Sequence, residues 1–461
     1  MLRLPMPTLG RAAVGLSAVL LAGCASLSPD GGLDDVSHLT QERIGQPANF
    51  TKETGQDAGG NDAQVQSLLS KPLTADSAVQ LALLNNAALK AAFAELGVSE
   101  ANFVQAGRMR NPGFSFGNVR GGNDSEIDRG ITFDIAGLLT MPARKRIEQR
   151  HFEQAKLQAA SQAVQLAADT RRAYFTAVAA AQSAAFAEQV RGAAEASSGL
   201  ADSMARVGNW SKLDQARERA FYQDAVTQLA RTRQEATAAR EQLIRLLGLW
   251  GEQQHFALPE RLPDLPDKPR EMSNAEAQAM SQRLDMLSAR RDTEATAAAL
   301  GLTRATGFID VFDAGYANKS YPGLPRQNGY QISLELPIFD WGGAKVARAE
   351  AVYMQSVHRT ADTAVRARSE VREAYSAYRT TYDIARHYRD DVVPLRKKIS
   401  DEVLLRYNGM LASVFELLAD SREQIMSVNT AIETQRDFWI AETKLQSAVN
   451  GASNNDTRTV P

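Results

Sequence analysis

Residues 331–350 read QISLELPIFDWGGAKVARAE, and the chain changes character twice within them. Tyr330, Ile332, Leu334 and Leu336 fall on one face of an extended strand, while Gln331, Ser333 and Glu335 fall on the other. Pro337 then removes a ladder donor, and Gly342 and Gly343 permit a turn. The charged, alanine-rich residues that follow have the composition of a helix. A strand is expected to run straight into a helix here.

The same passage occurs earlier. An offset of 201 residues lays Ile131, Phe133 and Ile135 on Ile332, Leu334 and Leu336, and Thr132 and Asp134 on Ser333 and Glu335. At that offset Ala163, Ala173, Tyr174 and Gly208 meet Ala364, Ala374, Tyr375 and Gly409. A tandem duplication explains the match. Each copy reads as helix, strand, polar loop, strand, very long helix, glycine turn and returning helix. The strands are expected at 113–119 and 130–136, joined by RGGNDSEIDR, and at 308–316 and 329–336, joined by ANKSYPGLPRQ.

One strand face suits lipid or a core, and the other, with a carboxylate in each copy, suits water. A membrane barrel uses such faces with the apolar one outward, which would turn Asp134 and Glu335 toward the lumen. A soluble sandwich alternates in the same way. Four strands are nevertheless too few to close a membrane barrel, and open edges cannot be left in hydrocarbon. If these strands enter a membrane, several chains must pool them.

The helices are long. Pro142 to Gly208 contains no interior proline and would reach roughly 100 Å as continuous helix. The matching stretch from Gly343 to Gly409 carries Pro394, where a kink is expected; the equivalent position is Ala193, beside Gly192. Ala159, Ala163, Leu166, Thr170, Ala173, Ala177, Ala180 and Ala184 form a heptad seam of small residues that lets helix axes approach closely. An ordinary antiparallel bundle would also use one.

At the start of the chain, Ala12 to Ala22 is an apolar run of 11 residues behind Arg3 and Arg11, too short to span a bilayer and suited to a signal peptide over residues 1–23. It ends in LAGC, which resembles the bacterial lipobox, so Cys24 is the expected lipid-attachment site; with Ala25 next, the resemblance implies outer-membrane sorting. Cys24 is the only cysteine, which excludes intrachain disulfides. Residues 24–72 read as a polar, lipidated tether, 73–257 as the first repeat, 258–272 with its four prolines as a linker, 273–451 as the second repeat and 452–461 as a tail. Net charge is −2, or about −4 without the two signal arginines, and no basic tract marks a nucleic-acid partner.

The segments LELPIFDWGGAKVARAE, RVGNWSKLDQARER and RYNGMLASVFELLADSREQ resemble the outer membrane factor family, the TolC-type efflux ducts, over roughly Leu73 to Gly451. The resemblance implies a mainly α fold with a small β part. Three chains would form a twelve-stranded outer-membrane β-barrel continuous with a periplasmic α-helical barrel. It implies a passive exit duct in contact with outer-membrane lipid, opened when a periplasmic adaptor and an inner-membrane pump engage its hairpin tips. Carried over by position, Gly208 and Gly409 are the tip glycines, with Arg206, Ser211, Arg406, Tyr407 and Ser413 as adaptor-contact candidates. Asp214 keeps an acid six residues after the first tip glycine. In the second tip Phe415 and Leu418 stand where some members carry acids, with Glu416 and Asp420 nearby, so a partly apolar gate is implied.

Two other classes compete. A periplasmic coiled-coil adaptor or scaffold lipoprotein would share the signal, the cysteine and a long hairpin, but adaptors carry one hairpin among small β domains. An enzyme would need a site, and His38, His151, His255, His358 and His387 are scattered without metal-ligand spacing. Gly121 and Gly342 lack the Lys and Ser or Thr of a phosphate loop, and no nucleophile stands with a base. No catalytic residue, metal or cofactor is expected.

Overall fold

A computed structural model describes residues 26–46, 50, 62–122, 124–272, 274–308 and 311–451. Cys24, the signal segment and the 452–461 tail lie outside the described residues. Helices α1 (Leu33–Ile44), α2 (Asp62–Leu69), α3 (Ala75–Asn85) and α4 (Ala87–Ala106) precede strands β1 (Gly113–Gly121) and β2 (Asp124–Asp134). Helices α5 (Ile135–Arg206) and α6 (Lys212–Leu247) form the first long hairpin. The second repeat supplies α7 (Ala275–Gln282), α8 (Leu284–Thr306), β3 (Phe312–Ser320) and β4 (Gln327–Leu334). Its hairpin is α9 (Gly343–His387), a π turn over Tyr388–Val392, α10 (Val393–Asn408) and α11 (Val414–Asn450). The order is therefore laid down twice, as the offset implies.

The chain divides into two compact units. One holds Phe93–Gln158, Met286–Thr363 and the chain up to Asp35, and so contains the whole sheet. The other holds Val36–Ala92, Ala159–Asp285 and the chain from Ala364 onward.

The four strands form one antiparallel sheet in the order β1-β2-β3-β4, so the two repeats join edge to edge. Both hairpins extend further from the helices than the alternation suggests. The ten-residue connection expected after Val119 is a tight turn at Gly122, whose φ is +60°, and β3 runs to Ser320 rather than ending at Tyr316. Arg, Asn, Asp and Glu dominate those added positions. Ladder pairing, not hydrophobic patterning, holds them in the sheet.

The first strand-to-helix junction is tighter than expected, whereas the second is looser: β4 stops at Leu334 and residues 335–342 lead irregularly into α9. Helix α5 begins at Ile135 and keeps Pro142 inside it. Asp134 stands just before the helix and accepts a hydrogen bond from Gly137 N at 2.5 Å, which caps one of the first-turn donors. At the second junction Gly342 has φ +78°, and a Cβ there would collide with Gly307 O. Only glycine fits.

In the second unit, α5 is buried around Ala159–Val178 along a stripe broader than the expected seam, then thins to Ala187, Ala194 and Ala201 at seven-residue intervals. The Pro-rich stretch 258–272 is not a loose linker. Leu262 and Leu265 are buried, Trp439 Nε1 and Gln435 Nε2 donate to Pro263 O, and Tyr382 OH donates to the carbonyls of Pro266 and Asp267. Proline-rich backbone offers acceptors with few competing donors, and aromatic tips strap it to the helices. The region read as a tether likewise holds α1, with Val36 and Thr40 fully buried. Leu33, Val36, Thr40 and Ile44 recur at helical spacing, a signal obscured by the surrounding polar residues.

Candidate functional site

The sheet has one apolar and one polar face, fixed by register. Phe114, Ile131, Tyr316 and Tyr330 pair in one row across all four strands; toward the helices follow Phe133, Ala314 and Ile332, then Phe312 and Leu334. This face is uncovered by any of the described residues. Tyr330 is 88% exposed, and Phe114, Ile332 and Leu334 are exposed too. The apolar surface continues past the strands through Leu336, Ile338, Phe339 and Trp341, of which Phe339 is 100% exposed. Within β4 the apolar rows from Leu334 up to Tyr330 cover about 13 Å at the strand rise, and the exposed residues beyond Leu334 extend the band.

The opposite face is small and polar. Gly113, Thr132, Gly315 and Gln331 make one row, and Ser115, Gly130, Ala317 and Gly329 the next. A Cβ at Gly130 would meet Ser115 Oγ at 2.5 Å, and one at Gly315 would meet Ile131 O at 2.5 Å. Glycine here suits the crowded concave side of a curved sheet, a signal legible in the sequence only once the register is known. Asp134 lies on this face, directly opposite Asp313. Glu335 falls one residue beyond β4, with its N–H donated to Val311 O at 3.2 Å.

The two hairpin tips turn differently. Gly208 adopts φ +81°, as a tip glycine should, whereas Gly409 does not: its φ is −82°, and Met410 takes the left-handed conformation at φ 59°. Arg206 donates to Ser203 Oγ at 3.1 Å, Arg406 pairs with Glu402 at 3.4 Å, and Tyr407 O accepts from Met410 N at 3.0 Å. Ser211 and Ser413 cap the returning helices. Ser211 Oγ accepts from Asp214 N at 3.1 Å and donates to the Asp214 carboxylate at 2.6 Å. Ser413 and Glu416 form a reciprocal capping box. Asp214 and Glu416, two of the acids expected at the gate, thus have a local job in starting helices.

Phe415 stacks on Trp210 of the other tip with ring centroids 5.0 Å apart, which brings the two hairpin ends together through aromatic contact. Leu418 is half-buried, and Asp420 keeps one carboxylate oxygen buried with no hydrogen-bond partner among the described residues. Val207, Leu213, Met410 and Leu411 are exposed around the tips. Farther along, Glu218 is 3% exposed and accepts from Arg422 Nη2 at 2.8 Å and from Ser197 Oγ at 2.9 Å. This polar lock between the hairpins has no pattern in either sequence copy that would have announced it.

The second unit also holds a cavity of about 1210 Å³ lined by Arg171, Tyr174, Phe175, Tyr378, Trp439 and Glu442. Burial pushes the Glu442 carboxyl above the usual carboxylate range, with Arg270 and Arg171 opposing it. The folded chain therefore holds this proton more tightly than the unfolded chain, and stability falls as pH rises from the unfolded carboxyl's range through the raised one. Glu442→Gln is expected to raise the unfolding midpoint at pH 7 and to leave it unchanged near pH 4. Thermal unfolding at the two pH values checks this.

Among the described residues no single helix is long and apolar enough to cross a membrane, and no group of three metal-ligating side chains is assembled. Neither a protein-family model nor a curated protein matches the sequence. Solved structures do. The Campylobacter jejuni CmeC outer membrane channel aligns at TM-score 0.72 with 17% identity, over 82% of this chain and 86% of that one. A Pseudomonas aeruginosa membrane protein aligns at 0.71 with 20% identity, over 84% and 93%. The open-state MtrE outer membrane channel of Neisseria gonorrhoeae aligns at 0.67 with 16% identity, over 82% and 89%. With its paired strand hairpins running into long helical hairpins, the chain has the fold of the outer membrane factor channels.

Proposed function

We propose that the chain is a lipid-anchored member of the outer membrane factor family and serves as the exit duct of a tripartite efflux system. The exposed apolar face of a sheet with two unpaired edges, β1 and β4, carries this reading. Such a face needs hydrocarbon, and hydrocarbon tolerates no open edge. Three copies supply twelve strands, enough to close a barrel with the glycine-rich face around a lumen. The long hairpins continue the duct into the periplasm, and their tips meet a periplasmic adaptor and an inner-membrane pump. Arg206, Gly208, Ser211, Arg406, Tyr407, Gly409 and Ser413 are the docking candidates, with Asp214, Phe415, Glu416, Leu418 and Asp420 around the gate. Transport through it is passive, with the inner-membrane pump supplying the driving force. Cys24 would carry the lipid. The likeness to CmeC and MtrE, each described as an outer membrane channel, supports the assignment.

Purified protein added to a planar bilayer is expected to give discrete conductance steps. Removing the Phe415 ring from the Trp210 stack with Phe415→Ala should raise the open fraction. Absence of conductance from the intact protein would count against a duct.

A further inference from the structure

Charge in the sheet is sorted by face. By register, the apolar face carries Arg120 and Arg129 as its only charged strand residues, whereas Glu126, Asp128, Asp134, Asp313 and Lys319 all lie on the polar face. Both arginines lie on the turn side of the tyrosine row. Arg129 sits in the row next to it, between Phe116 and Asn318, and Arg120 two rows further, opposite Ser125. Arg326 joins them at the β3–β4 turn, next to Gln327. All three are exposed, and none has a hydrogen-bond or ion-pair partner among the described residues.

Their isolation is not for want of nearby acids. Glu126 and Asp128 are within a few residues of Arg129 in β2, yet both are taken across the sheet by Lys319, at 2.7 and 3.4 Å. An ordinary solvated hairpin end mixes signs on both faces. Here the anions turn to one side, while Arg120 and Arg129 stay on the side of the apolar band, beyond the row of Tyr316 and Tyr330, and Arg326 stands at the turn between β3 and β4.

We propose that Arg120, Arg129 and Arg326 form a surface that binds the phosphate groups of lipid headgroups in the outer leaflet. The inference rests on the sheet spanning a membrane with its turns outward. Above an apolar band, the first layer a strand meets is the headgroup layer, and tyrosines mark its depth. Guanidinium groups present a planar fork that matches phosphate oxygens, and each basic group near an anionic surface adds to the attraction. Rows Arg129 and Arg120 are four residues apart, about 13 Å along the strand, so the set can engage more than one phosphate of a headgroup layer.

The test is native mass spectrometry of the full-length protein in detergent, titrated with a bisphosphorylated glycolipid, with the same lipid after phosphate removal, and with inorganic phosphate. Wild type should retain the phosphorylated lipid at least tenfold better than the dephosphorylated one, and should not retain inorganic phosphate. The triple variant Arg120→Gln, Arg129→Gln, Arg326→Gln should lose that preference while still conducting in bilayers. A conducting triple variant that binds the phosphorylated lipid as well as wild type overturns the headgroup site alone. Tight binding of inorganic phosphate overturns it in favour of a free-anion site. Wild type that neither inserts nor conducts overturns the site together with the duct.

Discussion

Ile332→Arg should cripple the protein in membranes while Ser333→Arg, the very next residue, should be nearly silent. Ile332 occupies the middle of three apolar rows, paired with Ala314, and is exposed; Ser333 lies on the polar face opposite Asp313. A lipid-facing Arg near the bilayer midplane costs about 2–4 kcal/mol, while a lumen-facing one stays hydrated. Urea unfolding of the protein folded into lipid vesicles reads the difference. In a water-soluble sheet both substitutions would sit on exposed surface and cost less than about 0.5 kcal/mol each. Equal, small effects would therefore contradict a membrane face.

Arg283→Ala should be the most damaging change outside the sheet, at about 3–5 kcal/mol. Arg283 is 1% exposed at the break between α7 and α8. Its Nε and Nη2 grip both oxygens of Asp285 at 3.0 and 2.7 Å, Nη2 also reaches Glu370 at 2.7 Å, and Nη1 donates to Ala448 O at 2.6 Å. Burial alone would push the guanidinium down, but the two carboxylates outweigh it and hold it above its ordinary value. Truncation strands the Ala448 carbonyl near the end of α11 and leaves a cavity among three helices. Arg283→Lys should recover less than half of the loss, because an ammonium cannot reproduce the fork. Thermal unfolding of both variants decides it, and an alanine cost below about 1 kcal/mol would show that the network is dispensable.

The first repeat solves the same problem without charge. There Asn86 occupies the break between α3 and α4 and donates to Leu246 O at 2.9 Å, while Gly248 and Gly451 end the returning helices in the same left-handed conformation. Duplicated backbone is thus legible where glycine or alternation enforces it. Substituted partners such as Asn86 and Arg283 are not, because neither residue type carries a periodic signal.

The same distinction explains what else could be read in advance. The strand-to-helix step at Pro337 and Gly342 is local chemistry and was visible in twenty residues. Near Pro394 the helix carries a π turn over Tyr388–Val392, two residues ahead of the proline, with helical backbone on both sides. The strap at Pro263 and Pro266 was not visible, since prolines mark irregular backbone without saying whether aromatic hydroxyls will pin it. At the tips, the glycine of the second copy does not make the turn. Met410 does, and a non-glycine residue at positive φ has no warning in sequence. Trp210 against Phe415 depends on two hairpins meeting, which is tertiary information.

What one chain leaves open is the edge of its sheet, and the particle's mass reports directly on how that edge is closed. Light scattering of the detergent-solubilised protein, corrected for bound detergent, should give three times the mass of the mature chain. A monodisperse particle with the mass of a single chain, stable in water without detergent, would contradict a pore built from pooled strands.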